Sequence, residues 1–231
     1  AQHAGDVAHS APARRAAPAR CTLRRRPETD NPSLSAVGGL VLPASTDMSE
    51  RANRLGVAIC GAGHSGSTLL GLVLGSHPAC FYAGEAKKTR FFGDPDKPLR
   101  KRVCKICGPG CPIWSRFAAL PGVDLYEQLS RLTGAPVVVD STKKVEWIRE
   151  RGAELAAAGV AHKRIFLARD GRAVVNSRLR KYPERDPGAV VDEWLAQIRA
   201  TEALLAERPE DALRIRYEEL ATEPAKVVRE V

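Results

Sequence analysis

Residues 55–70 read Leu-Gly-Val-Ala-Ile-Cys-Gly-Ala-Gly-His-Ser-Gly-Ser-Thr-Leu-Leu. An apolar β-type run, Leu55–Cys60, feeds a glycine-rich turn, and the turn opens into an apolar helical pattern. Such a turn binds anions. Glycines let the backbone come close, and successive N–H groups at a helix N-terminus point at the ligand. The spacing Gly61-x4-Gly66-x-Thr68 is that of a Walker A loop, but Ser67 stands where that motif has its lysine. The loop therefore suits a phosphate group, not the β/γ end of a nucleoside triphosphate. A second anion site is written in Arg169-Asp-Gly-Arg-Ala-Val-Val-Asn-Ser177. Arg169 ends a strand-like run, and Ser177 lies eight residues on, near two turns along the following helix. Arginine offers a planar fork to a phosphate and a hydroxyl adds one more bond. Two anion sites on adjacent loops suit a nucleotide carrying phosphates at both 5′ and 3′ positions.

These residues need a scaffold. Strands are expected at Leu55–Cys60, at Pro136-Val-Val-Val-Asp140, at 163–168 and at Ala212–Arg216. Helices are expected at about 66–75, 124–132, 143–158 (stopped by Gly159), 170–181 and 187–207, with a last one from Pro224. Residues 76–112, rich in Gly, Pro and charge, read as a long irregular stretch, and there is no internal repeat. Strands alternating with helices predict a parallel, doubly wound sheet, whose ligands sit at the carboxyl ends of the strands. Residues 61–68, 140–144, 169–172 and 217–219 then meet on one rim.

The bulk numbers narrow the class. With 231 residues, 44% of them hydrophobic and 27% charged, the chain can bury one full α/β core. Its net charge of +9 favours anionic partners, or is simply a solvated basic surface. Aromatics are only 5%, and no RNA-recognition motif, zinc-finger spacing or basic-aromatic stripe is present, so no nucleic-acid role is expected. No apolar run approaches the roughly 20 residues that span a bilayer. Residues 1–47, rich in Ala, Arg and Pro, read as a disordered extension with a weak likeness to a transit peptide. Met48, the sole methionine, is the expected natural start, residues 48–231 the domain, and the cytoplasm the expected location.

On these residues the chain resembles the sulfotransferase family, whose members use 3′-phosphoadenosine-5′-phosphosulfate (PAPS) as sulfuryl donor. Residues 61–70 look like the family's 5′-phosphosulfate loop, and Arg169 with Ser177 like its 3′-phosphate pair. Arg169-Asp-Gly-Arg-Ala-Val is especially similar to tyrosylprotein sulfotransferases. Asp140-Ser-Thr-Lys143, Arg216-Tyr-Glu-Glu-Leu220 and the segment Cys107 to Trp114, ending Cys-Pro-Ile-Trp, resemble bacterial-type members. Each motif is weak alone; together, in family order over about residues 55–231, they are specific. The resemblance implies a P-loop NTPase-like three-layer α/β sandwich with a central parallel sheet. It also implies in-line transfer from PAPS to a hydroxyl or amine, with 3′,5′-adenosine bisphosphate leaving. Gly63, His64, Ser65, Gly66, Ser67 and Thr68 would bind the 5′-phosphosulfate, and Tyr217 would contact the nucleotide unless it is a packed residue. Arg180 or Lys181 could add to the 3′-phosphate site. No metal is expected, since no β/γ bridge needs neutralising and no Walker B carboxylate is evident.

Glu85, in Ala83-Gly-Glu-Ala-Lys87, falls, counting from His64, at the position of the catalytic glutamate of tyrosylprotein sulfotransferases. It is read as the base, against a surface residue paired with Lys87 or Lys88. His77 is a rival base that reads better as a helix-ending element. Lys143 would stabilise charge on the bridging oxygen, or would face water at a helix N-terminus. His64 departs from the family, which places Arg or Lys there. Its imidazole is charged only below a pKa of about 6.5, raised by a bound anion, or else donates one neutral hydrogen bond.

Cys104-x2-Cys107-x3-Cys111 has zinc-like spacing but is one ligand short of a structural site. A loop disulfide or plain thiols are expected there. Sulfotransferases commonly close their pocket with a later loop; the chain ends at Val231, so a truncated domain is expected. The acceptor, whether sugar, peptide tyrosine, lipid or small metabolite, would be chosen by residues 86–135. The basic run Lys97, Arg100, Lys101, Arg102 and Lys105 suits an acidic one, or is a solvated loop. Two other readings stand beside this one. A P-loop small-molecule kinase would need ATP and Mg²⁺, and the missing lysine and the Arg169…Ser177 pair speak against it. A non-catalytic nucleotide-binding protein on the same scaffold would bind the nucleotide and transfer nothing.

Overall fold

The structure, a computed structural model, describes residues 50–92, 94–104, 107–117 and 122–231. The expectations for residues 1–47 and Met48 lie outside the described residues, as does Lys105.

Five strands form one parallel sheet in the order β2-β3-β1-β4-β5. They are β1 (Leu55–Cys60), β2 (Cys80–Gly84), β3 (Val137–Asp140), β4 (Ala161–Ala168) and β5 (Ala212–Arg216). β1 is central, with Ala58 opposite Asp140 on one side and Arg164 on the other. Its side chains alternate between two cores, as the period-2 geometry of a strand requires. Val57 and Ile59 join Leu70, Leu167, Ile215 and Leu220. That face is covered by α1 (Ser67–Leu74), α7 (Tyr217–Thr222) and α8 (Pro224–Glu230). Ala58 and Cys60 face the other way, against Ile148 and Leu204. There α3 (Leu125–Thr133), α4 (Val145–Ala157) and α6 (Pro187–Ala206) form the third layer. The expected three-layer sandwich with a central parallel sheet is the fold that forms. α5 (Gly171–Lys181) packs on α6. A side chain at Gly171 would meet the Trp194 ring at 2.4 Å, so only glycine lets the two helices approach.

Besides α7, a helix at Tyr217–Thr222 where none is expected, the structure corrects the expected elements in two places. Residues 76–112 are not uniformly irregular. They hold the edge strand β2, a 3₁₀ turn at Ala86–Phe91 and the short α2 (Leu99–Arg102). Cys-Phe-Tyr-Ala-Gly is too short to show alternation, and pairing with β3 supplies what its pattern lacks. The second correction concerns helix starts. α1 begins at Ser67, because Gly66 is in the left-handed region at φ +91°. α4 begins at Val145, so Lys143 lies in the loop leaving β3.

Candidate active site

The loop after β1 reverses the chain through three positive-φ residues: Gly61 (+118°), His64 (+72°) and Gly66 (+91°). Glycine is required at the outer two. A Cβ at Gly66 would stand 2.3 Å from the Tyr217 ring, and one at Gly61 2.8 Å from the Leu167 carbonyl. His64 holds a conformation that costs an ordinary residue about 1–3 kcal/mol, and the surroundings fix it there. Its carbonyl accepts from Arg169 Nη1 at 2.9 Å, and its Nδ1 shares a hydrogen bond with Ser177 Oγ at 2.9 Å. The Arg169 guanidinium in turn lies 4.3 Å from the Tyr217 ring centroid. The glycine loop, Arg169, Ser177 and Tyr217, read from separate stretches of sequence, thus form one contiguous surface.

Two further residues brace the loop. Gln197 on α6 accepts from Gly63 N at 3.2 Å and from Arg178 Nη2 at 2.9 Å. Arg178, buried on α5, also reaches the Gly63 carbonyl at 3.4 Å. Neither was singled out from sequence. Arg178 adjoins Ser177 in a helix with several basic residues, and Gln197 sits among polar residues of a long helix, so nothing local marks them.

Cationic side chains surround the loop. Burial first, then Lys181, Arg178 and Arg169, push the His64 imidazole below its usual pKa. At pH 7 it is therefore neutral, and its neighbours carry the positive charge that the family resemblance expects at His64 itself. Ser65 Oγ and Arg169 Nε are buried with no hydrogen-bond partner among the described residues. Buried polar atoms are seldom left unpaired, and a phosphate oxygen is the acceptor both could use.

The remaining candidates cluster at the exits of β2 and β3. Asp140, 2% exposed, is the hub. Its Oδ1 accepts from Thr142 N at 2.7 Å and Ala86 N at 3.0 Å. Its Oδ2 accepts from Trp147 Nε1 at 2.8 Å and Tyr126 Oη at 3.1 Å. Ser141 N donates to the Gly84 carbonyl at 2.7 Å, and Lys87 N to Thr142 Oγ1 at 3.2 Å. These bonds clamp the loop bearing Glu85 to the loop bearing Lys143. Tyr82 Oη, bonded to Ser141 Oγ at 2.9 Å, ties the same corner towards Thr68 on α1.

Glu85 caps the 3₁₀ turn at half exposure and pairs with Lys88, the partner that its surface reading named. Lys143 Nζ donates to the Ser141 carbonyl. Burial brings the Lys143 ammonium down to about 8, opposed by Glu85 and Asp140, whose charges favour the protonated form. Lys143 and His64 line the same cleft of about 590 Å³, with Glu146, Arg178, Tyr182 and Gln197. His77 is not at this rim. It precedes β2, at the amino ends of the parallel strands, where its Nδ1 accepts from Ala79 N at 3.2 Å.

No family model and no curated protein matches the sequence. Among solved structures, the chain is similar to the sulfotransferase domain of the Synechococcus PCC 7002 olefin synthase. The TM-score is 0.50 at 18% identity, over 79% of this chain and 73% of that one. It is also similar to a sulfotransferase from Alicyclobacillus acidocaldarius, with a TM-score of 0.44 at 21% identity over 77% of this chain and 78% of that one. A third match is sulfotransferase STF9 from Mycobacterium avium, with a TM-score of 0.44 at 13% identity over 78% of this chain and 62% of that one. The first of these likenesses shows the fold: this chain has the sulfotransferase-like α/β architecture. Among the described residues, no helix is long and apolar enough to cross a membrane.

Proposed function

We propose that this protein is a sulfotransferase that moves a sulfuryl group from PAPS to a hydroxyl or amine. The observation that carries the reading is the three-residue link Arg169–His64–Ser177, which joins the glycine loop to a second group of anion ligands. A triphosphate has no use for such a second site beside the loop; a nucleotide phosphorylated at both 3′ and 5′ positions does.

In this reading the backbone N–H groups of residues 64 and 66–68 hold the 5′-phosphosulfate, with the first turn of α1 aimed at it, while Gly63 N is held by Gln197. Arg169 and Ser177 hold the 3′-phosphate, and Tyr217 stacks on Arg169 to fix its plane. The acceptor oxygen attacks sulfur as the bond from sulfur to the 5′-phosphate oxygen breaks, and 3′,5′-adenosine bisphosphate departs. The acceptor proton goes to the Glu85 carboxylate. Protonated Lys143 places its charge by the bridging oxygen, where negative charge grows as the bond breaks. Asp140 touches no substrate; it positions Glu85 and Lys143 by holding both loops. The acceptor enters from the side of residues 86–135.

Incubation with PAPS labelled at sulfur and a panel of hydroxyl and amine acceptors tests this. Label moving to an acceptor, without added ATP or Mg²⁺, is the expected result. A kinase on the same scaffold would instead consume ATP in the presence of Mg²⁺.

A further inference from the structure

The loop after α2 brings three cysteines together. The sulfur atoms of Cys104, Cys107 and Cys111 all lie within 4.8 Å of one another. No described cysteine is in a disulfide. Spacing alone left this cluster one ligand short of a structural zinc site. The geometry shows that the three sulfurs meet at one point, which spacing could not.

An isolated antiparallel bridge pairs Cys104 with Gly108, next to Cys107. Gly108 N donates to the Cys104 carbonyl at 3.0 Å, and Cys107 N approaches Cys104 Sγ at 3.5 Å. Gly108 closes the turn at φ +71°, with open space around its Cα. Glycine is needed there for its backbone and not for room. Cys111 meets Cys104 and Cys107 from a second turn, fully buried, with Trp114 N 3.5 Å from its Sγ and Ser115 N bonded to its carbonyl at 3.1 Å. Backbone N–H groups aimed at sulfur favour the thiolate, the form that binds metal. A disulfide would use two of the three sulfurs and strand the third. A soft divalent metal uses all of them.

We infer that Cys104, Cys107 and Cys111 bind one zinc ion as thiolates, with water as the fourth ligand. The ion ties Cys104 and Cys107 to Cys111, and Trp114 carries the link on to the sheet. Trp114, three residues past Cys111, packs its ring against Phe81 of β2 at 5.8 Å and against Phe92 at 5.0 Å. Both lie on the stretch that carries Glu85.

The test uses the full chain, expressed with zinc and purified under reducing conditions without chelator. Metal analysis is expected to give one zinc per chain. Exchange for Co²⁺ is expected to give the thiolate-to-cobalt charge-transfer band and the visible bands of a four-coordinate ion. Cys107→Ser should lower zinc content and remove about one-third of the charge-transfer intensity, while Cys80→Ser leaves both unchanged. Should Cys107→Ser not fold, Cys104→His keeps a ligand and should retain one cobalt with a shifted spectrum. Protein that neither retains zinc nor takes up cobalt overturns the inference. So does a disulfide between any two of the three cysteines in freshly isolated, alkylated protein, or loss of metal in Cys80→Ser.

Discussion

Lys143 offers a pH dependence that can be worked out in advance. Burial lowers its ammonium to about 8 from 10.5, so the proton is lost as pH rises through the assay range. A group of that pKa is about nine-tenths protonated at pH 7 and about one-tenth protonated at pH 9. If its charge stabilises the leaving oxygen, kcat/KM must follow the protonated fraction. The profile should fall with a midpoint near pH 8 and reach a slope of about tenfold per pH unit. Lys143→Arg keeps a permanent charge, so its profile should be flat through the same range on a lower plateau, because the guanidinium fork differs in shape and reach. Lys143→Ala should lose about 10²–10³ in rate at pH 7, the scale seen when one stabilising donor is removed. The assay is initial-rate transfer from labelled PAPS at subsaturating donor, with an alcohol acceptor that does not itself ionise in the range. A wild-type profile that stays level past pH 9, or a descending limb that survives in Lys143→Arg, refutes the role given to Lys143.

Three more outcomes follow from the geometry. Glu85→Gln should leave the Kd for 3′,5′-adenosine bisphosphate unchanged, yet slow transfer by about 10²–10⁴, the usual worth of a general base; unchanged turnover would remove Glu85 from the chemistry. Asp140→Asn cannot accept at both ends of its side chain. It strands two of its four donors, at about 1–3 kcal/mol each, and should lower Tm and slow transfer while donor binding persists. His162 is buried, and both ring nitrogens lack a hydrogen-bond partner among the described residues. Burial, then Arg164, lowers its pKa from 6.5 to about 4. Between these values the unfolded chain binds the extra proton, so stability is full above pH 6.5 and falls by about 3 kcal/mol as pH drops to 4. Denaturant titrations of His162→Phe should show a flatter dependence over that window, and an unaltered slope would contradict the assignment.

The parts of the site that sequence made legible are those where local pattern and chemistry coincide. An apolar run followed by glycines at fixed offsets can be little else than a strand, a turn and a helix start, and β1 lies where the pattern put it. Arg169 and Ser177 were readable because a strand end and a helical spacing place them in one register. What stayed hidden depends on distant partners. Gln197 braces Gly63 across 134 residues, and Arg178 does so across 115. Asp140 could be seen as a polar strand end, but its donors come from Ala86, Tyr126, Thr142 and Trp147, which only the fold assembles. β2 escaped because its stability comes from pairing with β3 and not from its own five residues. Lys143 reads in sequence as the first residue of a helix; the Thr142 and Asp140 bonds hold it in the loop, which is what turns it to the cleft.

The central claim is a second phosphate site beside the glycine loop. Calorimetric titration with 3′,5′-adenosine bisphosphate and with 5′-adenosine monophosphate, on the wild type and Arg169→Ala, isolates it. The account predicts that the wild type prefers the bisphosphate without any divalent cation. It predicts that Arg169→Ala loses about 10–100-fold in bisphosphate affinity, the worth of a charged hydrogen-bond pair, with a much smaller change for the monophosphate. Equal affinity for the two nucleotides in the wild type, or tight binding only of ATP with Mg²⁺, would contradict it.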